Sequence, residues 1–492
     1  MRKSGMLLPI SSLPSKYGIG SFSKEAYDFI DILKYTGQKL WQILPLGPTG
    51  YGDSPYQSFS TFAGNPYFID LDELVKEGIL TEQECNSYDW VNDNEYIDYE
   101  KIYLSRFKIL KIAYERSRIN ENNAFIEYCE KNKWWLHNYA LYMAIKDFFD
   151  GKSLIEWDED IRLRKKEEVD KYEIKLKDDI NFYKYQQYIF YNQWSKLKSY
   201  ANEKGISIIG DIPIYVALDS ADTWSNPELF QLSKDRTPIA VAGCPPDEFS
   251  KNGQLWGNPL YNWEYHKSTD YRWWVDRVEH SFKLYDIVRI DHFRGFDEYY
   301  SIPYEEKTAI NGFWRKGPGI EIFNFIKQNL GEVDIIAEDL GFLTESVKDL
   351  LKDTGYPGMK ILQFAFDCSQ ESEYLPHNYN NNCVVYTGTH DNTTIKDWYK
   401  NLNLEDKRMC VNYINNKYTK ENEIHWDFIC LAMRSVADTC IIPVQDYLGL
   451  GNEARINTPS TLGDNWRWRL NKEYFSKNEI NKIRMLTKLY GR

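Results

Sequence analysis

The stretch IVRIDHFRGF (287–296) begins as an apolar strand and then sets Arg289, Asp291, His292 and Arg294 within six positions. Charges at the end of a buried strand cost free energy unless each is paired, so the pattern marks a site rather than core or solvent loop. Similar endings recur along the chain. Asp211 lies in ISIIGDIPIYV, Glu338 and Asp339 close VDIIAEDLG, and His390 and Asp391 close NCVVYTGTHD. Carboxylates gathered without a cysteine partner or a phosphate-binding glycine loop suit cleavage of a glycosidic bond. One attacks or stabilises the oxocarbenium-like centre, and a second, kept protonated, donates to the leaving oxygen. Arg289 shares the side-chain parity of Asp291, and a permanent cation there keeps Asp291 ionised at neutral pH and ready to attack.

Each carboxylate also has a plainer reading. Asp291 could merely pair with Arg289 or Arg294, Glu338 or Asp339 could cap the next helix, and Asp391 could be the N-cap of NTTIKDW. What weighs against three separate coincidences is that all of them fall at the same end of different strands.

The elements that must position them follow from eight short apolar runs, at 5–10, 40–46, 206–216, 285–291, 333–341, 359–366, 382–391 and 438–446. Unbroken apolar character, rather than alternation, marks strands buried on both faces of a parallel sheet. Amphipathic stretches such as TESVKDLLKD and TTIKDWYKNL follow them as crossover helices would. Eight such units predict an α/β fold, a (β/α)8 TIM barrel whose C-terminal strand ends carry the site. An open doubly wound sheet would place a G-x-G-x-x-G turn after its first strand, and PISSLPSKYGIGSF lacks that spacing. The chain is expected to be one catalytic barrel over 1–492 with two insertions. About 160 residues separate the second and third runs, so a mainly helical insertion is expected over 66–200. The segment 217–284, interrupted by Pro, Gly, Asn and Trp, reads as a loop-rich cover over the active site. Within it Gly253, Gly257 and Pro259 bracket Trp256, a composition suited to a closing lid.

Composition narrows the partners. With 492 residues, 42% hydrophobic and 27% charged, the chain can bury a large core, and a net charge of −13 repels nucleic acid and anionic membranes. Aromatic residues reach 16%, with 16 Trp and 38 Tyr, and flat apolar faces beside hydrogen-bonding groups suit sugar rings. The eight cysteines are scattered singly and read as reduced thiols. The N-terminal apolar run is broken by Pro9, and no segment approaches the ~18 apolar residues of a membrane span. The expected location is the cytoplasm.

The motifs GMLLPISSLPSKYGIGSF, WQILPLGPTGYGDSPYQSFSTFAGNPYFIDL, GDIPIYVALDSADTW, VRIDHFRGF, AEDLG, YPGMKILQFAF, TGTHDNTT and EARINTPSTLGDNWRWR follow one another in that order. In them the chain resembles the amylomaltase, or disproportionating enzyme, family of 4-α-glucanotransferases, a branch of the α-amylase superfamily of retaining barrel enzymes. The resemblance implies transfer of α-1,4-glucan segments (maltooligosaccharides derived from starch or glycogen) to the 4-OH of a glucan or glucose acceptor through a covalent glucosyl-enzyme. It further implies Asp291 as nucleophile, Glu338 as general acid/base and Asp391 as transition-state stabiliser. Tyr56, Asp211, Trp256, Arg289, His292, His390 and Asn457 form the implied substrate-binding set, with Arg289 orienting Asp291 and Trp256 on the acceptor side. No cofactor and no metal are expected, because the two-carboxylate mechanism needs neither.

Three rival readings remain at the level of the sequence. A hydrolase of the α-amylase type uses the same carboxylates. A metal-dependent barrel hydrolase could draw on His292, His390, Asp291 and Asp391, although the first run lacks a His-x-His. A catalytically silent glucan-binding protein would bind sugars without turnover.

Overall fold

In a computed structural model, residues 2–50, 52–91, 95–246, 250–341, 343–369 and 371–492 are described. Parts of the quoted motifs at Tyr51 and at 247–249 of the expected cover lie outside them. The strands are β1 (Lys3–Leu7), β2 (Leu40–Gln42), β3 (Ser207–Pro213), β4 (Ala240–Cys244), β5 (Gln254–Pro259), β6 (Ile287–Asp291), β7 (Glu298–Pro303), β8 (Phe313–Lys316), β9 (Ile335–Ala337), β10 (Gly358–Ile361), β11 (Cys383–Tyr386) and β12 (Thr439–Pro443). Eight of these pair in parallel in the order β10-β11-β12-β1-β2-β3-β6-β9. Ala337 N–H donates to Pro357 O at 3.0 Å, which brings the two ends of the sheet together and closes the barrel.

All eight apolar runs of the sequence overlap one of these strands, each strand shorter than its run, with β1 and β10 starting just before theirs. The apolar residues beyond the strand continue into turns and 3-10 helices at the C-terminal mouth, as in Leu362–Phe364 after β10. Side chains such as Ile208, Val288, Ile290, Ile336, Val385 and Ile441 are buried and give the sheet its core. Local signals set the helices. Glu345–Thr354 follows β9 and ends at Gly355, whose φ of 71° is the left-handed cap that glycine takes at no steric cost. The helix Ile395–Asn401 starts at Thr394, whose side chain accepts from Asp397 N–H, so its N-cap is Thr394 and not Asp391.

The connection from β2 to β3 contains the long helices Tyr99–Ser117, Asn123–Phe148 and Lys177–Glu203. The last of these does double duty. Trp194 on it donates its indole N–H to Leu284 O at 2.9 Å, and Phe190 packs under Phe22, so the helix lies on the barrel wall as the crossover into β3. A second apolar cluster, with Trp135, Tyr139, Trp157 and Trp224, ties the helical part to Phe62 of the loop after β2.

The segment 217–284 differs from the loop-rich expectation. It holds β4 and β5, which join β7 and β8 in a four-stranded antiparallel sheet of order β5-β4-β7-β8, and it ends in the crossover helix Arg272–Leu284. Glycine and proline in AVAGC and QLWGNP mask the strand pattern, and the partners β7 and β8 come from the far side of β6. Such pairing is non-local and leaves no short-range signature.

Candidate active site

Register brings the charges together before any loop is considered. Asp211 of β3 lies opposite Arg289 of β6, and Pro213 opposite Asp291. Arg289 thus points into the barrel beside Asp211, and its Nη1 donates to both Asp211 oxygens at 2.8 and 2.7 Å. Its Nη2 reaches Asp291 Oδ1 at 3.0 Å, two residues further along β6 toward the mouth. The guanidinium fork suits this double engagement, which a point-charge lysine would not reproduce. The second oxygen of Asp211 also accepts from Tyr56 Oη at 2.8 Å.

Exposure grades outward along this chain of charges. The Asp211 and Arg289 side chains are 0% and 4% exposed, whereas Asp291 is 30% and Asp391 is 44%. Asp211 therefore lies beneath the open mouth with its oxygens turned to Arg289 and Tyr56. It holds those two side chains instead of facing a ligand as expected. Arg289 is likewise closed in, with its guanidinium on Asp211 and Asp291.

Glu338 follows β9, the barrel neighbour of β6. Its Oε2 accepts from His292 N–H at 2.7 Å and its Oε1 from Leu340 N–H at 2.8 Å. His292 presents its N–H there from a left-handed backbone of φ 56°, a conformation non-glycine residues hold only where the surroundings enforce it. Asp339, adjacent in sequence, points the opposite way. It accepts from Met359 N–H at 2.6 Å, and Gly358 lies so close that a Cβ there would be 2.4 Å from the carboxylate. Asp339 thus holds β10 in place and leaves Glu338 alone at the mouth.

The third carboxylate sits on the turn after β11. Asp391 Oδ1 accepts from Asn457 Nδ2 at 2.7 Å and lies 3.4 Å from His390 Nε2. The His390 ring stacks on Tyr56, with centroids 5.2 Å apart and planes at 18°. Trp256 of β5 meets the His292 ring edge to face at 4.9 Å. Gln57 donates to Asn258 at 3.0 Å and Asn258 to Val216 O at 2.8 Å, which couples the Tyr56 loop to the strand of Trp256. Gly257, beside Trp256, has a φ of 78°, which glycine takes without strain, and a Cβ there would meet nothing within 4 Å. The structure therefore brings Tyr56, Asp211, Arg289, Asp291, Glu338, His390, Asp391 and Asn457 into one connected set, with His292 and Trp256 forming a wall on the β5 side.

The electrostatics separate the two inner carboxyls. Burial pushes Glu338 up to about 7, with the charge of Asp291 adding to the rise and Arg289 opposing it. Burial also raises Asp291, to about 6, but there Arg289 is the main opposing influence. Burial drives His292 down to about 3, so its ring is neutral, and its Nε2 has no partner among the described residues. A neutral imidazole and an unpaired ring nitrogen suit hydrogen bonding to a sugar hydroxyl.

Three residues of this set were not singled out from the sequence. Arg455 donates to Asp391 O and to Asn457 O, both at 2.8 Å, and so fastens the Asp391 turn to the C-terminal segment. Trp466 completes the aromatic wall around Tyr56 and His390, 5.8 and 6.0 Å from them. Asp446, buried after β12, accepts from Thr387 Oγ1 at 2.5 Å and Ile395 N–H at 2.8 Å, gripping both ends of the Asp391 loop. An aspartate closing the last apolar run, in IIPVQD, is the one signal that was available. Among the described residues no group of three His, Cys, Asp or Glu side chains converges as a metal would require.

An eight-stranded parallel barrel that gathers carboxylates and aromatic walls at its C-terminal mouth has the architecture of enzymes acting on glycosidic bonds. The sequence pattern of 4-alpha-glucanotransferases matches residues 8–474. The chain is 53% identical over 485 residues to the 4-alpha-glucanotransferase of Clostridium butyricum, covering 98% of this chain and 99% of that one. It is 45% identical to that of Aquifex aeolicus over 494 residues and the whole of both chains. The solved amylomaltase from Streptococcus agalactiae in complex with acarbose superposes with a TM-score of 0.97 over 100% of both chains, at 43% identity. The chain belongs to the 4-alpha-glucanotransferase family, and it is an enzyme with that family's glycosyl-transferring activity. No helix among the described residues is long and apolar enough to cross a membrane.

Proposed function

We propose that the enzyme moves α-1,4-glucan segments by a retaining double displacement. Asp291 attacks the anomeric carbon as Glu338 protonates the leaving 4-oxygen. Glu338 then takes the proton of an acceptor 4-OH, which displaces Asp291 and restores the bond. Asp391, open to the cleft and held by Asn457, binds hydroxyls of the sugar whose ring flattens. Tyr56, His292, His390 and Asn457 line that sugar, and Asp211 and Arg289 keep Asp291 oriented and charged. Trp256 covers the acceptor side and favours a sugar hydroxyl over bulk water. The acceptor is another glucan or glucose.

The observation that carries this reading is the contrast between two neighbouring carboxyls. Asp291 touches the Arg289 cation at 3.0 Å, whereas Glu338 has only backbone N–H donors and is pushed up to about 7 by burial. Two carboxyls held in unlike protonation states are what separate nucleophile from acid require. We further assign 66–200 as a helical insertion and 217–284 as the cover of the mouth. None of the eight cysteines is joined in a disulfide, which supports a cytoplasmic location.

Incubation with maltotriose, with products resolved by size and reducing ends counted over time, tests the reading. Glucose plus a ladder of longer maltooligosaccharides at constant reducing ends is expected, and rising reducing ends without longer products would make the enzyme a hydrolase. Asp291→Asn and Glu338→Gln should each lower kcat at least ~100-fold while the fold survives. Retained turnover in both would overturn the roles.

A further inference from the structure

We propose that the cleft between the helical segment Asn123–Phe148 and the crossover helix Arg272–Leu284 is a second glucan-binding site, separate from the barrel mouth. Its volume is about 320 Å³, and Phe62, Trp134, Tyr265 and Trp273 are among its lining residues. None of the residues placed at the mouth lines it. The volume falls at the low end of the ~300–1,000 Å³ typical of small-molecule sites, room for a short segment of sugar rings and not for a macromolecule.

The lining selects the ligand class. Trp134 is 44% exposed and stands edge to face on Phe62 at 4.7 Å, so its indole is held rigid while half of it faces solvent. Tyr265 is 36% exposed on another wall. Trp273 also lines the cleft, with an indole N–H that is buried and has no acceptor among the described residues. A buried unpaired donor costs free energy until an acceptor arrives, and a hydroxyl or ring oxygen is such an acceptor. The charged groups beside the rings are the carboxylates Asp222 and Glu228, which repel anions, and one arginine already paired. Asn138 is an amide, and Arg272 is tied to Asp276 through Nη2–Oδ1 at 2.6 Å and Nε–Oδ2 at 3.1 Å. No free cation is thereby offered to a phosphate, and rigid aromatic faces with neutral donors match a neutral, hydroxyl-rich ring system.

The cleft also has a structural tie to the mouth. Ser60 and Phe62 line it and lie on the same loop after β2 that carries Tyr56 and Gln57. A glucan chain long enough to touch both places is held twice, and the second contact becomes intramolecular, raising the apparent affinity for long donors without any new contact at the mouth. The inference rests on the α-glucan reading above.

The test is titration calorimetry of maltoheptaose into the full-length Asp291→Asn enzyme, in which turnover is blocked, and into Asp291→Asn carrying Trp134→Ala or Tyr265→Ala. Two ligands per chain are expected in the first and one in the others. In the otherwise unaltered enzyme, Trp134→Ala should raise KM for long amylose on the order of tenfold and leave maltotriose transfer unchanged. Thermal midpoints and maltotriose turnover report whether each variant is folded. One ligand per chain throughout, alongside intact maltotriose transfer, would overturn the second site and leave the proposed function standing. Two ligands per chain that persist in both variants would place the second site elsewhere and equally overturn it. A protein that neither binds maltoheptaose nor turns over maltotriose would overturn both readings.

Discussion

Replacing Arg289 by Gln should move the acid limb of the pH profile upward and lower kcat/KM about tenfold by protonation alone. Asp291 must be ionised and Glu338 protonated, so kcat/KM falls below the first pKa, about 6, and above the second, about 7. Between them, near pH ~6.5, about half of the molecules carry the productive pair of states. The Arg289 contact to Asp291 at 3.0 Å is the main influence opposing the burial-driven rise. A cation at such a distance depresses a carboxyl by ~1–3 units, so its loss lifts Asp291 to roughly 8. Arg289 also opposes the rise of Glu338, but without direct contact, so the basic limb moves up by less. With the order reversed, the productive form falls to roughly one molecule in twenty at best, a loss of about tenfold in kcat/KM with an optimum shifted to higher pH. Gln still offers a donor to Asp211, but the 0% exposed carboxylate loses its cation, at a cost of up to ~3–5 kcal/mol that the thermal midpoint reports. The assay is glucose release from maltotriose between pH 4 and 9 at fixed ionic strength, with the thermal midpoint as a check on folding. An acid limb that stays in place, or moves to lower pH, refutes the assignment of that limb to Asp291 and of Arg289 as its electrostatic partner.

Asp446→Ala should lower kcat/KM on the order of tenfold by releasing both ends of the Asp391 loop, while Asp446→Asn keeps most of the activity. Burial raises Asp446 in the folded state to about 6 from 3.8, so its ionisation weakens the native state as pH rises from about 4 to about 6. The stability advantage of Asp446→Asn over the native enzyme, read by urea unfolding, should therefore grow across that window by up to ~3 kcal/mol and stay constant above it. Trp256→Ala should leave the first displacement close to normal and admit water to the intermediate, so that reducing ends rise several-fold faster relative to transfer products. Simultaneous counting of reducing ends and chain lengths checks it.

Much of this molecule was written in its local sequence. Strands buried on both faces must be apolar throughout, so the eight runs announce themselves, and a charge at the end of such a run has no apolar explanation. That is why Asp291, Glu338 and Asp391 were legible one at a time. Tertiary structure alone decided which of them act together and which neighbours only support them. Glu338 and Asp339 are adjacent and chemically alike, yet alternation along the chain turns one to the mouth and the other into Met359 N–H. Asp211 reads as a ligand-facing acid, but register against Arg289 buries it. Asp446, Arg455 and Trp466 came to the site through contacts spanning roughly 50 to 400 positions, and β4 found its partner β7 across β6. Periodicity is a property of neighbours in the chain and survives in sequence. Pairing across the barrel is a property of distance in space, and only the closed fold supplies it.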